Sequence, residues 1–384
     1  MKPLHGLRIV DLGIITAGAS TSAILADLGA EVIKVEGPDY IDPFRRWAGT
    51  GSAEGWWDES PYYRFTNRNK RSLCVDLKSS DGQRLLLDLV AISDVVVENF
   101  RVGALDRLGL GFGALVRANP RIVLASISSQ GTTGPEAGGA SFGSTLEASS
   151  GMASLVGYDG GAPQISGQAL NYPDQIASLF ASGLIVAAVI DARAAGRPAH
   201  IDLSQREIAS YLLGEHVVAA AHDADASGPR TGGPALCQGV YRAADRRWVA
   251  VTVARPLPRP PERSGIGASG CDEASLAAWI EARDADAAVA QLREAGAAAE
   301  VVRDVAHMQG AGGPADAGVA IVTGPDGFPV KGLPWTMDGL PLQVDRAAPA
   351  LGADNRAIVV DLLQRDAAAY AALVAAGVLA CRPR

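Results

Sequence analysis

The fold is decided by residues 7–36, which read LRIVDLGIITAGASTSAILADLGAEVIKVE. Leu7–Leu12 has the mostly apolar pattern of a strand that a parallel sheet buries on both faces. Small residues then lead into a predicted helix at Thr21–Leu28, which Gly29 ends, and Glu31–Glu36 is the next predicted strand. A β-α-β unit of about thirty residues is the building block of nucleotide-binding folds. The stretch therefore predicts a Rossmann-like parallel sheet.

Two enzyme classes are disfavoured by the glycine-containing turns. Gly13, Gly18 and Gly29 do not have the GxGxxG spacing of a dinucleotide-binding dehydrogenase. Residues 139–143, GASFG, formally match the G-x-S-x-G nucleophile elbow of serine hydrolases. That elbow needs a strand directly before the serine, whereas a glycine-rich loop precedes it here.

Strands and helices continue to alternate after the first unit. The next predicted strands are Ser72–Asp76, Val95–Glu98, Ile122–Ser126 and His200–Leu203. The predicted helices include Gly82–Val90, Gly103–Leu108, Ser204–His222 and Asn355–Ala375. This alternation is typical of an α/β domain whose parallel sheet is covered on both faces.

A change in composition predicts where the domains divide. Asp223–Pro234 is rich in Gly, Ser and Pro, as linkers are. We predict a large α/β domain over 1–222 and a smaller α+β domain with its linkers over 223–338. The smaller domain shows a hairpin pattern at Gly239–Ala254.

Charge and composition exclude several kinds of partner. The 384 residues carry a net charge of -8, which argues against nucleic-acid binding because that needs a basic surface. Met1 is not followed by a basic and then apolar leader, so a cytoplasmic location is expected. The four cysteines form no CxxC pair and the five histidines show no paired ligand spacing. No metal site is therefore expected.

Asp174 precedes a long apolar run, Gln175–Ile190, in the sequence Asn171-Tyr172-Pro173-Asp174. A helix that is apolar on nearly every face is expected in the middle of a domain. The run is too short and too interrupted by serine and glycine for a membrane span, so no membrane contact is expected. Asp174 follows Pro173 as a helix N-cap would. In one interpretation it simply caps the helix, and in the other the helix N-terminus keeps its carboxylate ionised for use as a nucleophile. The two interpretations are compatible.

Longer motifs follow one another in order over nearly the whole chain. They are GLRIVDL…AGA…LADLGAEVIKVEGP (Gly6–Pro38), NRNKRSLCVDLKS (Asn67–Ser79), VENFRVGALDRLGL (Val97–Leu110), SFGSTLEASSGM…GYDGGAP (Ser141–Pro163), NYPDQIAS (Asn171–Ser178), RPAHIDLSQREIAS (Arg197–Ser210) and APALGADN (Ala348–Asn355). Together they resemble the class III CoA-transferases, a family that shares its fold with an acyl-CoA racemase. So many ordered motifs are far more specific than a single glycine pattern.

The resemblance implies roles for single residues. The family's nucleophilic aspartate falls on Asp174. Its CoA-contacting positions fall on Val75 and Lys78 near the adenine, Asn99 and Phe100 after a strand, and Arg107 as a phosphate partner. Thr16, in the first strand-to-helix turn, is a further candidate by its position alone. Fixed cations and helix-start N–H groups suit a phosphorylated nucleotide.

One contact of the family is altered in this sequence. A nucleotide-contacting arginine of the family falls near Gly37 and Pro38, so that contact is either lost or supplied by Arg45 or Arg46.

The resemblance also implies an activity and an assembly. The implied reaction moves CoA from an acyl-CoA to a free carboxylic acid through a covalent aspartyl intermediate. CoA thioesters would be substrates, and no permanently bound cofactor is expected. Two chains of this family interlock, so a homodimer is expected. The resemblance further implies that 1–222 is a large CoA-binding domain and that the chain returns to it over 339–384.

Two alternatives remain open beside the transferase. An acyl-CoA racemase or epimerase of the same fold would pair a histidine with the aspartate as acid and base. That branch is disfavoured because no histidine lies between His5 and His200. A non-catalytic subunit that binds acyl-CoA is the other alternative.

Overall fold

Two compact units make up the chain. The computed structural model describes residues 1–47, 54–157, 161–166, 172–222, 236–267, 270–304, 321–332, 334–340 and 343–384. The larger unit comprises Met1–Pro229 and Ala320–Arg384, and the smaller unit comprises Arg230–Val319. The domain boundary expected at 223 lies outside the described residues, so it stays a prediction.

A six-stranded sheet forms the centre of the larger unit. Its strand order is β3-β2-β1-β4-β5-β6, and every neighbouring pair is parallel. The strands are β1 (Arg8–Asp11), β2 (Glu31–Glu36), β3 (Lys70–Cys74), β4 (Val95–Glu98), β5 (Val123–Ser128) and β6 (Ala199–Ser204). This is the order of a doubly wound nucleotide-binding sheet. The prediction of a Rossmann-like α/β fold is confirmed.

Helices cover both faces of this sheet. The helices of the larger unit are α1 (Ala17–Asp27), α2 (Pro61–Asn67), α3 (Ser80–Ala91), α4 (Ala104–Arg107), α5 (Phe112–Ala118), α6 (Gly143–Ser149), α7 (Met152–Leu155), α8 (Tyr172–Ala195), α9 (Gln205–Tyr211) and α10 (Gly214–His222). Side chains of β1 alternate between two cores, with Ile9 facing α1 and α8 and Val10 facing α3 and α5. Both cores are apolar, so the central strands are buried on both faces. This explains why their residues are nearly all apolar.

Helix α8 differs from its predicted character. It is 24 residues long and packs one face, including Ala177, Ala181 and Ile185, against α1 and the sheet. Leu184 is 43% exposed and Ile190 is 65% exposed. The prediction of an all-round buried helix is therefore wrong, because only the face with small residues is close enough to the sheet to be covered.

The length argument against a membrane span is also wrong. Helix α8 is long and apolar enough, by length and composition alone, to cross a membrane. A core helix of a soluble protein meets the same criterion, and Ile185 and Val189 of α8 are buried in the core. Its packed face is consequently the evidence that it is a structural helix of this unit.

Two long predicted helices are each broken in two. The predicted helix Ser204–His222 is α9 followed by α10. The predicted helix Asn355–Ala375 consists of a π-helical turn at Ala357–Leu362 and a further helix, Ala367–Ala375. Between the latter pair, Gln364 has a φ of 57°, which no continuous helix accommodates.

The smaller unit is an α+β body. Its strands β7 (Cys237–Arg242), β8 (Trp248–Val253) and β9 (Ala298–Val301) form an antiparallel sheet. Helices α11 (Glu273–Glu281) and α12 (Ala285–Glu294) bury Trp279, Ile280 and Leu292 against it. In the larger unit, β10 (Ile321–Thr323) and β11 (Pro329–Lys331) form a short antiparallel pair.

Candidate active site

A cleft of about 1000 Å³ opens at the carboxyl edge of the six-stranded sheet. Residues just beyond the ends of β1, β2, β3, β4 and β5 line it, and so does Gln205 after β6. In open α/β sheets, ligands bind at this edge, where neighbouring strands are connected in opposite directions. Here that position lies between β1 and β4. The fold therefore places a ligand-sized cleft where a nucleotide would be expected.

Asp174 lines this cleft near the start of α8. The helix begins at Tyr172, so Asp174 belongs to the first turn and is not the predicted N-cap. Burial raises the pKa of Asp174 to about 6, although its own backbone N–H lowers it in part. Burial therefore opposes the effect of the helix end, and this carboxylate is mostly ionised only above about pH 6. Asn171 lies outside the described residues.

The chain path explains why Asp174 reaches the cleft. Helix α8 ends at Ala195 and leads directly into β6, so its last turn adjoins the amino end of that strand. Its first turn must then lie toward the carboxyl edge, and Ser178 in the following turn donates to the Ala17 carbonyl at the start of α1 at 3.1 Å. Ser204 pairs with Ser128 of β5 in the sheet. Asp174, Ser128 and Gln205 all line the cleft at this edge.

Three cations line the cleft beyond the ends of β3 and β4. Lys78 follows β3, and Arg101 and Arg107 follow β4. The Lys78 ammonium is 3.7 Å from the Asp39 carboxylate, and its side chain is largely exposed. Exposed pairs of this kind are weak, so Lys78 can exchange its partner for a phosphate at little cost.

Most of the residues that the resemblance implied lie in this single cleft. Asp174, Lys78, Asn99, Phe100 and Arg107 all line it, although Asp174 is far from the other four in the sequence.

Thr16 and Val75 are close to the cleft but do not line it. Val75 is fully buried, and its backbone N–H donates to the Glu36 carbonyl at 2.8 Å. Thr16 is 2% exposed at the start of α1. Their side chains therefore belong to the core beneath the cleft, and a ligand role for either residue stays a prediction.

Asn99 holds the turn between β1 and α1 in place. Its side-chain oxygen accepts from the Ile14 N–H at 2.7 Å, and its side-chain nitrogen donates to the Ile14 carbonyl at 3.0 Å. The next residue, Ile15, has a φ of 58°. A β-branched residue there is strained by about 1–3 kcal/mol. Asp42 Oδ1 accepts from the Ile15 N–H at 3.2 Å, so Asn99 and Asp42 together hold a strained wall of the cleft.

A buried network of charges lies beneath this wall. Lys34 donates to Asp42 at 2.9 Å and to the Gly13 carbonyl. Lys70 donates to Asp11 at 2.8 Å. Each of these four charged side chains is fully buried, so each cation compensates a carboxylate in the core. Sequence reasoning missed this network because it joins strands distant in sequence.

Arg45 belongs to the same network and not to the cleft. Its guanidinium donates to both oxygens of Glu36, each at 2.8 Å, and to Asp58 at 2.6 Å. Arg46 lies 5.4 Å from the Trp56 ring centre and does not line the cleft either. The suggestion that Arg45 supplies a missing nucleotide contact is therefore wrong, because that side chain is completely buried.

The segment that contains the serine motif is a loop. Ser141 follows an irregular stretch, residues 129–140, and α6 begins at Gly143. The Gln130 side chain donates to Ser141 Oγ at 2.9 Å. The strand that a nucleophile elbow requires before its serine is absent from this described segment. Residues 137–144 instead form a wall of the cleft that contains Asp174.

His200 has a structural environment away from the cleft. Its Nε2 lies 3.0 Å from Ser126 Oγ, and its ring stacks on Phe112 at 5.1 Å. Burial lowers the pKa of His200, although Asp202 acts in the opposite direction. Among the described residues that line the cleft there is no histidine. The acid–base pair of a racemase is therefore not assembled by the lining residues of this chain.

The family model named CoA-transferase family III matches residues 4–257 and 262–355. The chain therefore belongs to this family, and the predicted membership is confirmed. It is 30% identical over 395 residues to a succinyl-CoA–D-citramalate CoA-transferase of Chloroflexus aurantiacus, covering 94% of each chain. It is 37% identical over 213 residues to a succinate–glutarate CoA-transferase of Agrobacterium fabrum, covering 55% of this chain and 53% of that protein.

The solved structures agree with this assignment. A CaiB/BaiF family protein from Brucella suis superimposes with a TM-score of 0.82 at 27% identity, covering 94% of this chain and 99% of the other. Among the curated relatives, the match spans about half the length of an acyl-CoA transferase of Fusarium pseudograminearum and of the Agrobacterium protein.

Proposed function

We propose that this protein transfers CoA from an acyl-CoA to a free carboxylic acid through a covalent intermediate on Asp174. The observation that carries the proposal is that one cleft is lined both by Asp174 and by the cations Lys78, Arg101 and Arg107. Several relatives are named as succinyl-CoA-dependent or succinate-dependent CoA-transferases, which supports this reaction class. A CoA thioester needs both features, because its phosphates are anionic and its carbonyl must be attacked.

The reaction proceeds as a series of acyl transfers. The Asp174 carboxylate attacks the thioester carbonyl and the C–S bond breaks. CoA thiolate is released, and a mixed anhydride between Asp174 and the acyl group remains on the enzyme. The thiolate then attacks the aspartyl carbonyl and expels the first acid, which gives an aspartyl-CoA thioester. The acceptor carboxylate attacks this thioester and again releases the thiolate, which finally attacks the acceptor carbonyl and restores Asp174. Each step replaces one leaving group by one nucleophile, so no oxidant or other reactant is consumed.

The glycine-rich wall supplies the hydrogen-bond donors for the proposed reaction. Residues 138–143 line the same cleft as Asp174. Backbone N–H groups of such a segment stabilise the oxyanion that forms when a carbonyl is attacked. The interlocked homodimer, the cytoplasmic location and the lack of a bound cofactor remain predictions. Exposed apolar side chains on α8 and α10, such as Ile190 and Val218, support an assembly.

An exchange assay tests the proposed function. The protein is mixed with succinyl-CoA and a panel of carboxylic acids, and new acyl-CoAs are identified by chromatography and mass. Formation of the acceptor's CoA ester together with free succinate is expected. Release of free CoA without a new thioester would indicate a hydrolase, and α-hydrogen exchange without an acceptor would indicate an epimerase. Thioester binding without any turnover would indicate a silent subunit, and each of these results would overturn the proposal.

The rate of CoA transfer should depend on pH through the ionisation of Asp174. Because burial raises the pKa of Asp174 to about 6, much of this carboxylate is protonated and unreactive in mildly acidic solution. We expect kcat/KM to rise with pH through about 6 and to level off above about pH 7. Steady-state kinetics with one fixed acyl-CoA measure this profile. A constant rate between about pH 5 and about pH 8 would show that ionisation of this carboxyl does not control the reaction.

Arg107 provides a test of the proposed contact with the CoA phosphates. Removing its guanidinium with Arg107→Ala should weaken CoA binding about fivefold to tenfold at low ionic strength, since a charge-assisted contact to phosphate is lost. The difference should shrink at high ionic strength because salt screens exposed charges. Arg117→Ala is the matched control, because Arg117 also lies in the last turn of a short helix but does not line the cleft. Equal affinities of the two variants by calorimetry would remove Arg107 from the site.

A further inference from the structure

A second, smaller cavity adjoins the first turn of α8. It has a volume of about 80 Å³ and is lined by residues of α1, α2, α8 and β11 and of the segment that follows β11. Asp174 lines the large cleft, whereas the next residue, Gln175, lines this cavity. The first turn of α8 therefore borders both spaces. All the described residues that line the smaller cavity belong to the larger unit.

The polar groups around this cavity are mainly hydrogen-bond donors. The polar side chains that line it are those of Ser20, Arg68, Gln175 and Lys331. A guanidinium has five N–H groups, and Arg68 uses three of them, two toward Asp27 and one toward the Phe65 carbonyl. An ammonium has three, and Lys331 uses one of them toward Gln175 Oε1 at 3.0 Å. Each cation therefore keeps two N–H groups for a further acceptor.

The positive charges around the cavity are only partly compensated. Asp27 compensates Arg68, whose Nε lies 3.0 Å from Asp27 Oδ2. Lys331 contacts the neutral Gln175 side chain and the Phe65 ring, whose centre is 5.6 Å from its Nζ. No Asp or Glu is among the described residues that line the cavity. Burial lowers the pKa of Lys331, and the positive charge of Arg68 lowers it further, as expected for a cation without a counter-ion.

We propose that this cavity binds a small oxyanion, either a carboxylate or an inorganic anion of similar size, between Arg68 and Lys331. Such an anion accepts the spare N–H groups and also compensates the charge of Lys331, whereas water supplies no charge. A water molecule occupies about 30 Å³ in the liquid, so the cavity holds a group the size of about two or three waters, such as acetate or phosphate. The inference goes beyond the proposed function, because neither cation lines the large cleft.

Calorimetric titration with sodium acetate and with inorganic phosphate tests this site. Saturating CoA is present throughout, so that the cations of the large cleft are occupied. The ionic strength is kept constant with gluconate, which is too large for the cavity. We expect one anion to bind per chain with a Kd of about 1–10 mM, the affinity that a few charge-assisted hydrogen bonds provide. Binding of acetate alone would identify a carboxylate site, and binding of phosphate alone would identify an inorganic anion site.

Two charge-removing variants locate the anion. Lys331→Gln should weaken the binding of the anion about tenfold or more, because the uncompensated charge is lost. Arg64→Gln is the matched control. Arg64 is a cation on α2 whose guanidinium lies 4.9 Å from the ring centre of Phe328, between β10 and β11, but it does not line the cavity. This variant should keep the wild-type affinity.

The outcomes are independent of the exchange assay. If neither acetate nor phosphate binds to the wild type, or if Lys331→Gln binds them as tightly as the wild type does, the inference is overturned. Equal losses in Lys331→Gln and Arg64→Gln would indicate a general effect of surface charge and would also contradict it. Because the readout is anion binding, a failure of CoA transfer would overturn the proposed function without deciding this one.

Discussion

Asp174→Ala should lower CoA transfer by about 10,000-fold or more, since removal of a covalent nucleophile leaves only the binding contribution to catalysis. CoA itself should still bind, because the cations proposed to bind its phosphates, Lys78, Arg101 and Arg107, are unchanged in this variant. Intact-protein mass spectrometry with a panel of acyl-CoAs should reveal a CoA-bearing adduct on the wild type. Peptide mapping should place the adduct on Asp174, and the variant should carry none.

Asp191→Ala is the matched control for this experiment. Asp191 lies on the same helix, is exposed and pairs with Arg197 at 3.0 Å, far along α8 from the cleft. This variant should retain its activity and its adduct. An adduct of unchanged yield on Asp174→Ala, or full turnover by that variant, would contradict the assignment of the nucleophile.

The same carboxylate should lower the stability of the folded protein. Burial raises the pKa of Asp174 from 3.8 to about 6, so the folded state keeps this proton to a higher pH than the unfolded chain does. Stability therefore falls as the pH rises from about 4 to about 6, by up to about 3 kcal/mol. The charge-free variant Asp174→Asn should then melt higher than the wild type at neutral pH and lose this advantage below about pH 4. Such a gain would also show that loss of activity is not loss of fold.

The main sheet could be predicted from sequence because its strands are buried on both faces. The predicted bounds Glu31–Glu36 and Val95–Glu98 coincide with β2 and β4. Parallel strands of this kind give apolar runs with glycine-containing or polar turns, which is a strong local pattern. Once the strands are known, the carboxyl edge follows from topology, and polar residues after strand ends, such as Asn99, are expected there.

The surroundings of helix α8 and of the buried charges on β2 could not be predicted in the same way. The run Gln175–Ile190 is apolar all round, but whether Leu184 or Ile185 faces the sheet depends on which side lies near α1, and that is a tertiary property. Likewise, β2 contains Lys34 and Glu36, which a local pattern assigns to a solvent-facing position. Both are buried, because partners from distant segments compensate their charges.

Arg45→Met should destabilise the larger unit by about 3–5 kcal/mol, because removing one partner of a buried ion pair leaves the other charge uncompensated. Burial by itself would raise the pKa of Glu36, but Arg45 and Lys34 outweigh it and hold that pKa at about 2. In the wild type this stabilisation is complete above about pH 4.5 and is lost as the pH falls toward about 2, because the folded state resists protonation of Glu36.

The neighbouring arginine provides the control for this substitution. Arg46→Met removes an exposed guanidinium whose described aromatic contact is 5.4 Å from the Trp56 ring centre, so a change within about 1 kcal/mol is expected. Urea unfolding of both variants, followed by circular dichroism, measures the difference. Equal small effects would show that Glu36 finds other compensation. A large loss confined to Arg45→Met, with weaker CoA binding, would show that the buried network holds the cleft wall to which Glu36 and Asp42 belong.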